Sequence, residues 1–206
     1  MNEIERFIEN LSSVSLNNVS NLYINDNDGN IRKHNLTMYL TTMKKINPDI
    51  LFLGEAPGYK GCGFTGIPFT SEKILYENNF FRNQEYKYIH KIDNLESEIS
   101  ATIVWNELEN LPFQPLIWNI FPFHPYKSDN KNSNRTPNLD ELDEGVQYLK
   151  QLLEIFKINK IISIGRKPEQ QLLKNGFTYK YIRHPANGGK HKFVTGLKTE
   201  FQNVIS

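Results

Sequence analysis

The sequence is poor in cysteine, in long apolar runs and in net charge, and these shortages exclude several classes of protein. Its 206 residues include one cysteine, Cys62, so a disulfide within the chain and a four-cysteine zinc or iron–sulfur site are both excluded. No run approaches the about 20 apolar residues that a membrane span needs, and the polar start MNEIERFIENL is not a signal peptide. We therefore expect a cytoplasmic protein with no membrane partner, no metal and no cofactor.

The composition is that of a globular protein with a balanced charge. Hydrophobic residues make up 38% of the chain and aromatic residues 12%, which is enough for a packed core and too much for a disordered chain. The net charge of +1 argues against a protein that coats nucleic acid, but it leaves room for a local basic patch. The sequence has no internal repeat and no long linker, so its length predicts a single domain over residues 1–206.

Apolar runs and amphipathic stretches alternate along the chain. The runs predict buried strands over residues 49–53, 116–120, 160–164 and 178–182. The amphipathic stretches predict helices over residues 3–11, 37–46, 72–79, 101–111 and 139–156, a short helix ending near residue 176, and a last helix through residues 194–204. This alternation predicts an α/β fold, a three-layer α/β/α sandwich with a central, mostly parallel four-stranded sheet. We expect residues 80–98 to form a charged excursion outside the core and residues 125–137 to form a loop.

Four residues that bear on a ligand site follow directly on predicted strands: Gly54, Phe121, Gly165 and His184. In a parallel sheet the ligand crevice lies beyond the carboxyl ends of the strands. We therefore expect the loops that carry these residues to converge at one edge of the sheet.

The segment LFLGEAPGYKGCGFTGIPFTSE, residues 51–72, combines glycines with a carboxylate, Glu55, and an aromatic ring, Phe69. Glycine has no Cβ, so such a loop lets the backbone approach a ligand closely. Asn119 lies in another apolar strand, where an amide costs stability unless it is hydrogen-bonded. His184 follows a strand and precedes the turn-rich PANGG. These side chains are candidates for ligand contact.

Residues 61–66, GCGFTG, match the glycine pattern G-x-G-x-x-G of dinucleotide-binding proteins. That pattern cradles a pyrophosphate when it lies directly at a strand end and opens a helix. Here the predicted strand ends earlier, at Gly54, and Ile67-Pro68 follows the pattern. One alternative function is therefore that of an unrelated α/β protein that binds a small-molecule nucleotide.

Five short motifs, taken in order, resemble the uracil-DNA glycosylase superfamily, and in particular its GEAPG-type bacterial and archaeal branches. The motifs are GEAPG at 54–58, GIPF at 66–69, WNI at 118–120, NRTP at 134–137 and HP at 184–185. The resemblance covers about residues 50–193. It implies a monomeric DNA glycosylase that flips a base out of single- or double-stranded DNA and hydrolyses its N-glycosidic bond. Uracil is the default base, and the product is an abasic site formed without a lyase step.

The resemblance also implies roles for individual residues. Phe69 matches the family's stacking phenylalanine, and Asn119 matches the asparagine that recognises N3 and O4 of uracil; Gly54 and Ala56 complete the base pocket. His184 matches the donor to O2 of the departing base, as in an oxyanion hole. Glu55 is implied to orient the attacking water or to support the cationic sugar.

The loop after His184 is implied to contact the DNA backbone. Its candidate DNA-binding residues are Pro185, Asn187, Gly188, Gly189 and Lys190. We expect the backbone amides of Gly188 and Gly189 to grip a phosphate, with Lys190 adding positive charge.

Departures from the family pattern leave two further alternatives. Ala56 stands where the best-known branch has an aspartate, which keeps open a catalytically silent relative that only binds nucleic acid. That branch also has a tyrosine that excludes thymine, whereas here Gly58 precedes Tyr59. If Gly58 lines that wall, the pocket is roomier and its selectivity looser, and the alternative bases are hypoxanthine, xanthine and a modified pyrimidine of viral DNA. The sequence leaves both repair and defence open as the role.

Overall fold

The computed structural model describes residues 1–82, 84–128 and 130–205. The helices are α1 (Glu3–Ser12), α2 (Asn27–Ile46), α3 (Cys62–Thr65), α4 (Glu72–Glu77), α5 (Ile99–Leu108), α6 (Leu139–Ile155), α7 (Arg166–Lys174) and α8 (Lys190–Ile205). The strands are β1 (Val19–Ser20), β2 (Ile50–Gly54), β3 (Leu116–Asn119), β4 (His124–Pro125), β5 (Lys160–Ile164) and β6 (Lys180–Ile182). A search of the described helices for one long and apolar enough to cross a bilayer found none.

A parallel four-stranded sheet in the order β3-β2-β5-β6 forms the centre of the fold. Gly54 lies beside Asn119 across the β2–β3 pair, and Ile164 lies beside Ile182 across the β5–β6 pair. The strands therefore end together at one edge. This confirms the predicted three-layer α/β class and each predicted central strand. The short antiparallel pair β1–β4 was not predicted.

Apolar strands and capped helices account for this architecture. Residues 51–53 of β2 are fully buried, as expected for a strand of a sheet that is covered on both faces. Asn138 caps α6 by accepting from the Glu141 N–H at 2.9 Å, while the Glu141 carboxylate accepts from the Asn138 N–H at 2.8 Å. The two bonds together form a capping box.

Helix α2 is longer than the predicted helix over residues 37–46, because it begins at Asn27. The sequence NDGN at its start is typical of a turn. Asp26 nevertheless caps it by accepting from the Gly29 N–H at 2.6 Å. Further along, Arg32 donates to the Gly63 carbonyl at 2.7 Å and Asn35 donates to the Thr65 carbonyl at 3.1 Å. Tertiary hydrogen bonds to the glycine-rich loop thus accompany a helix start that local propensity disfavours.

The predicted excursion over residues 80–98 is wrong in part. Phe81 and Tyr86 are buried in the core. The carboxylate of Glu72 is fully buried and accepts from the backbone N–H groups of Ile89 at 2.8 Å and His90 at 3.0 Å. Its other oxygen lies 2.7 Å from Nδ1 of His90. A buried carboxylate needs such partners, so Glu72 fixes the path of a segment whose polar sequence suggested a solvated loop.

Candidate active site

A cleft of about 790 Å³ lies at the carboxyl ends of the central strands. Its walls come from the segments that follow β2, β5 and β6 and from Asn119 at the end of β3, with additional residues from the segments 98–100 and 134–136. This is the place that the topology of a parallel sheet predicts.

The cleft brings together most of the predicted catalytic and base-binding residues. Its lining includes Glu55, Ala56, Phe69, Asn119 and His184, together with Asn187. Gly54 lies beneath the lining, against Phe69 and Asn119. Pro185, Gly188, Gly189 and Lys190 are not among the residues that line it.

The missing side chain of Gly54 gives Phe69 and Asn119 the space they occupy. A Cβ at this position would lie 2.4 Å from Cε2 of Phe69 and 2.6 Å from Oδ1 of Asn119. Both distances are far below van der Waals contact. Gly54 therefore allows the ring and the amide to lie side by side at the strand end.

We expect Gly54→Ala to displace both side chains and to destabilise the protein by about 1–3 kcal/mol, as overpacking does. Urea unfolding measures this change in the free energy of unfolding. Gly58→Ala is the matched control, because a Cβ there would make only an ordinary contact, 3.5 Å from Oδ1 of Asn134. Equal stability of the two variants would contradict this account of Gly54.

Phe69 is held in an uncommon backbone conformation. Its φ is +50°, a left-handed value that is costly for an aromatic residue and persists only where the surroundings impose it. On either side of Phe69, the Thr65 hydroxyl donates to the Thr70 carbonyl at 2.7 Å, and Trp105 Nε1 donates to the Thr70 hydroxyl at 3.2 Å. The result is a fixed ring whose centroid lies 5.6 Å from that of His184, with the planes inclined by 35°.

Asn119 carries an amide that is buried but has no protein partner. The residue is only 3% exposed, and its side chain forms no hydrogen bond within the part of the chain that the structure describes. Its amide is not among the fully enclosed unbonded groups of the described residues, which are Tyr86 Oη and Trp118 Nε1, so the amide reaches the open space of the cleft. Because Asn119 lines the cleft, a bound ligand would supply the missing partners.

His184 is placed to donate a hydrogen bond as a neutral imidazole. Burial, with a smaller contribution from the nearby charge of Arg183, lowers the pKa of His184 to about 4. Its Nδ1 lies 3.1 Å from the backbone N–H of Ala186, and an N–H can only donate. Nδ1 must therefore accept, and the single ring proton of the neutral form is on Nε2.

Glu55 is a half-buried carboxylate in the same cleft. Burial raises the pKa of Glu55, while the charge of Lys167 and a hydrogen bond from the Thr136 side chain lower it. The carboxylate consequently takes up a proton at a higher pH than an exposed glutamate would. A carboxylate of raised pKa in a cleft is typical of a group that accepts a proton or stabilises a cation.

The loop over residues 185–190 presents only some of its residues to solvent. Asn187, Gly188 and Lys190 are exposed, and Asn187 adopts a left-handed φ of +53°. Gly189 is buried, and its N–H donates to the Ala186 carbonyl at 3.0 Å. Because the Gly189 N–H already has this partner, a backbone hydrogen bond to a phosphate would have to come from Gly188.

Several residues of the cleft had no predicted role. They are Lys60, Glu98, Asn134, Thr136, Arg166, Lys167 and Arg183. Asn134 and Thr136 belong to the NRTP motif, which was noticed in the sequence but was given no function. Arg135, expected in a solvated loop, instead donates to both carboxylate oxygens of Glu141, at 2.6 and 2.7 Å.

The glycines of the dinucleotide-like pattern have packing roles, and the described residues contain no group of metal ligands. In the G-x-G-x-x-G match, a Cβ at Gly63 would meet the Gly58 carbonyl at 2.7 Å, and one at Gly66 would meet Arg32 at 2.7 Å. These glycines therefore allow the loop to pack, and the one helical turn here, Cys62–Thr65, lies inside the pattern rather than after it. Within residues 1–82, 84–128 and 130–205, no three His, Cys, Asp or Glu side chains are grouped to hold a metal ion.

A fixed aromatic ring, an unpartnered amide and a neutral histidine thus lie together in one cleft at the sheet edge of an α/β protein. The sequence model described as the uracil DNA glycosylase superfamily matches residues 41–203. The chain therefore belongs to the uracil-DNA glycosylase superfamily, a family of DNA glycosylases. No curated protein matches the chain.

The fold is also found among solved structures. One similar structure is the crystal structure of wild-type SMUG2 from Pedobacter heparinus, which superposes with a TM-score of 0.71 at 18% sequence identity. The alignment covers 98% of this chain and 98% of that chain. At this level of identity the likeness establishes the shared fold.

Proposed function

We propose that this protein is a DNA glycosylase that binds a flipped base in the cleft and hydrolyses its N-glycosidic bond, with uracil as the default base. The observation that carries the proposal is the Asn119 amide, which lines the cleft without a protein partner beside the fixed ring of Phe69. In a protein of this superfamily, a nucleobase is the ligand that would satisfy such an amide.

The geometry supports separate roles for the cleft residues in binding the face and the edge of the base. Phe69 offers its face to the base, and stacking on an aromatic ring is favourable for any base. The amide of Asn119 has both a donor and an acceptor, which match O4 and N3–H of uracil. Gly54 leaves room beneath the base for Phe69 and Asn119, and Ala56 brings the backbone close to the base edge.

The chemical step breaks one bond, forms one bond and transfers one proton. The bond between C1′ and the base nitrogen breaks, the base leaves with the electron pair, and a water oxygen forms the new bond to C1′. Negative charge develops on O2 of the base, where the Nε2–H of His184 stabilises it. Glu55 orients the water and supports the positive charge on the sugar, and the proton released by water finally resides on the base.

The DNA strand would cross the exposed part of the loop after His184. Asn187, Gly188 and Lys190 supply an amide side chain, a backbone N–H and a positive charge at this rim, and Pro185 and the buried Gly189 hold its shape. Phosphate contacts of this kind position DNA without selecting sequence. We further propose that the protein acts inside the cell as one domain and as a monomer.

A second candidate keeps the chemistry but changes the base. Gly58 lines the cleft, whereas Tyr59 does not. No tyrosine side chain therefore stands at this wall, where the uracil-selective branch has the tyrosine that excludes thymine. This favours a base larger than uracil, such as hypoxanthine, xanthine or a modified pyrimidine.

The proposal is tested on oligonucleotides that each carry one uracil, hypoxanthine, xanthine or modified cytosine, with hot-alkali cleavage to reveal abasic sites. We expect the wild type to release at least one of these bases. Asn119→Ala should lower the single-turnover rate for that base at least about 100-fold, because the base then loses its paired hydrogen bonds. Asn132→Ala, an exposed asparagine that does not line the cleft, is the control and should retain the wild-type rate.

Other outcomes separate the alternatives. DNA binding without release of any base would favour the silent relative. Release that Asn119→Ala leaves unchanged would show that the pocket proposed for the base is the wrong one.

A further inference from the structure

Asn134 occupies the space beside Gly58 in the wall of the cleft. Both residues line the cleft. A Cβ at Gly58 would lie 3.5 Å from Oδ1 and 3.7 Å from Nδ2 of Asn134. The asparagine, which comes from a distant part of the chain, therefore provides the polar surface where Gly58 itself has no side chain.

A backbone hydrogen bond fixes the orientation of the Asn134 amide. The N–H of Tyr59 donates to the side chain of Asn134 at 2.9 Å. Since a backbone N–H can only donate, the atom that accepts must be the oxygen Oδ1, and the other end of the amide must be Nδ2. Among the described residues Nδ2 has no acceptor, so its two hydrogens are free to bind a ligand.

The segment that carries Asn134 is held in place on both sides. The guanidinium of Arg135 forms the double hydrogen bond to Glu141 and also donates to the Tyr126 carbonyl at 2.9 Å and the Asn18 carbonyl at 3.0 Å. Paired bonds of this type are strong and directional. The buried ring of His124 lies 2.9 Å from the Pro57 carbonyl and 3.1 Å from the Lys131 carbonyl. The amide of Asn134 is therefore presented by a fixed segment, as a recognition group requires.

We propose that Asn134 is a second base-recognition residue, and that its Nδ2 donates to N7 of an oxopurine. The inference rests on the proposed function. With His184 at O2 of uracil and Asn119 at N3 and O4, which correspond to N1 and O6 of an oxopurine, the edge of the base that remains for the Gly58 side is the one that carries C5. Uracil has only C–H groups on that edge, whereas an oxopurine has the acceptor N7 there. Free donors at this edge and the absent side chain at Gly58 both fit the larger base.

The test uses binding, so that the chemical step does not intervene. The probes are oligonucleotides with a single 2′-fluoro nucleotide, which resists hydrolysis, bearing either hypoxanthine or 7-deazahypoxanthine. These bases differ by one acceptor nitrogen. We expect the wild type to bind the hypoxanthine probe about tenfold more tightly, the effect of one hydrogen bond lost to an unpaired donor.

Asn134→Asp is the informative variant, because it keeps the oxygen that accepts from Tyr59 and removes both amide hydrogens. The ratio of the two dissociation constants should fall to about one or below. Asn132→Asp adds the same charge to the same segment outside the cleft, and should keep the wild-type ratio. Taking a ratio also cancels any general loss of DNA affinity caused by the new charge.

Equal affinity of the wild type for the two probes would overturn the inference, as would a preference that survives in Asn134→Asp. Excision by the wild type is measured in parallel on cleavable uracil and hypoxanthine oligonucleotides. If a base is released but the probes bind equally, only the role of Asn134 fails. If no base is released from any oligonucleotide, the proposed function itself fails.

Discussion

His184→Ala is expected to slow base release about 100- to 1,000-fold, the usual effect of removing one donor from an oxyanion hole. The side chain is largely buried, its pKa is lowered to about 4, and its Nδ1 accepts from Ala186. The neutral ring therefore presents an Nε2–H that is already oriented before the charge develops on the base. Single-turnover excision at saturating enzyme measures the effect on the chemical step.

Two further variants make the result specific. His191→Ala removes an exposed histidine from α8 outside the cleft and should keep the wild-type rate. His184→Asn keeps a side-chain N–H and should recover part of the lost rate. A full rate in His184→Ala, or equal losses in His184→Ala and His191→Ala, would contradict the donor role.

Glu55→Gln is expected to reduce excision about 100- to 10,000-fold, the range that general base catalysis contributes. Glutamine keeps the shape of the side chain but carries neither a negative charge nor a basic oxygen. In the wild type, activity should fall as the pH is lowered through the raised pKa of Glu55, because protonation removes the active carboxylate. The pH dependence of the single-turnover rate measures this acid limb.

Lys167→Met tests whether the acid limb of the pH profile reports the pKa of Glu55. The positive charge of Lys167 lowers the pKa of Glu55, so removing it should raise that pKa and move the acid limb to higher pH. Lys174→Met is the control on the same helix, because Lys174 pairs with Asp143 at 2.7 Å and does not line the cleft. An acid limb that does not move in Lys167→Met would assign the titration to another group.

Much of the fold follows from local signals. The strands β2, β3 and β5 are short apolar runs, and the run over 160–164 has the bounds of the observed strand. In a small α/β protein, short apolar runs of this kind are expected in the central sheet, because its strands are buried on both faces. The position of Glu55, Phe69, Asn119 and His184 around one cleft then follows from topology, because parallel strands present their carboxyl ends together.

The parts that sequence patterns missed depend on long-range partners. The first ten residues of α2 look like a turn, yet Arg32 and Asn35 bond to the loop over residues 61–66. Residues 89–96 look solvated, yet they surround the buried carboxylate of Glu72. Periodicity carries no information about such contacts.

The sequence also did not predict that Asn134 and Thr136 line the cleft, because their position depends on long-range contacts. Asn134 and Thr136 lie in a polar, turn-rich segment that has the composition of any surface loop. Their position depends on how Arg135 meets Glu141 and how His124 meets Pro57. The NRTP motif was the one available signal, and the structure adds that its side chains face Gly58 and Glu55.

Mass spectrometry of the products tests the central claim most directly. The wild type is incubated with an oligonucleotide that carries one candidate base, and both the small-molecule and the strand fractions are weighed. The account predicts a free, chemically intact base and an unbroken strand that is lighter by the loss of that base and the gain of one water. A deaminated base still attached to the strand, a broken strand, or no free base from any oligonucleotide would contradict it.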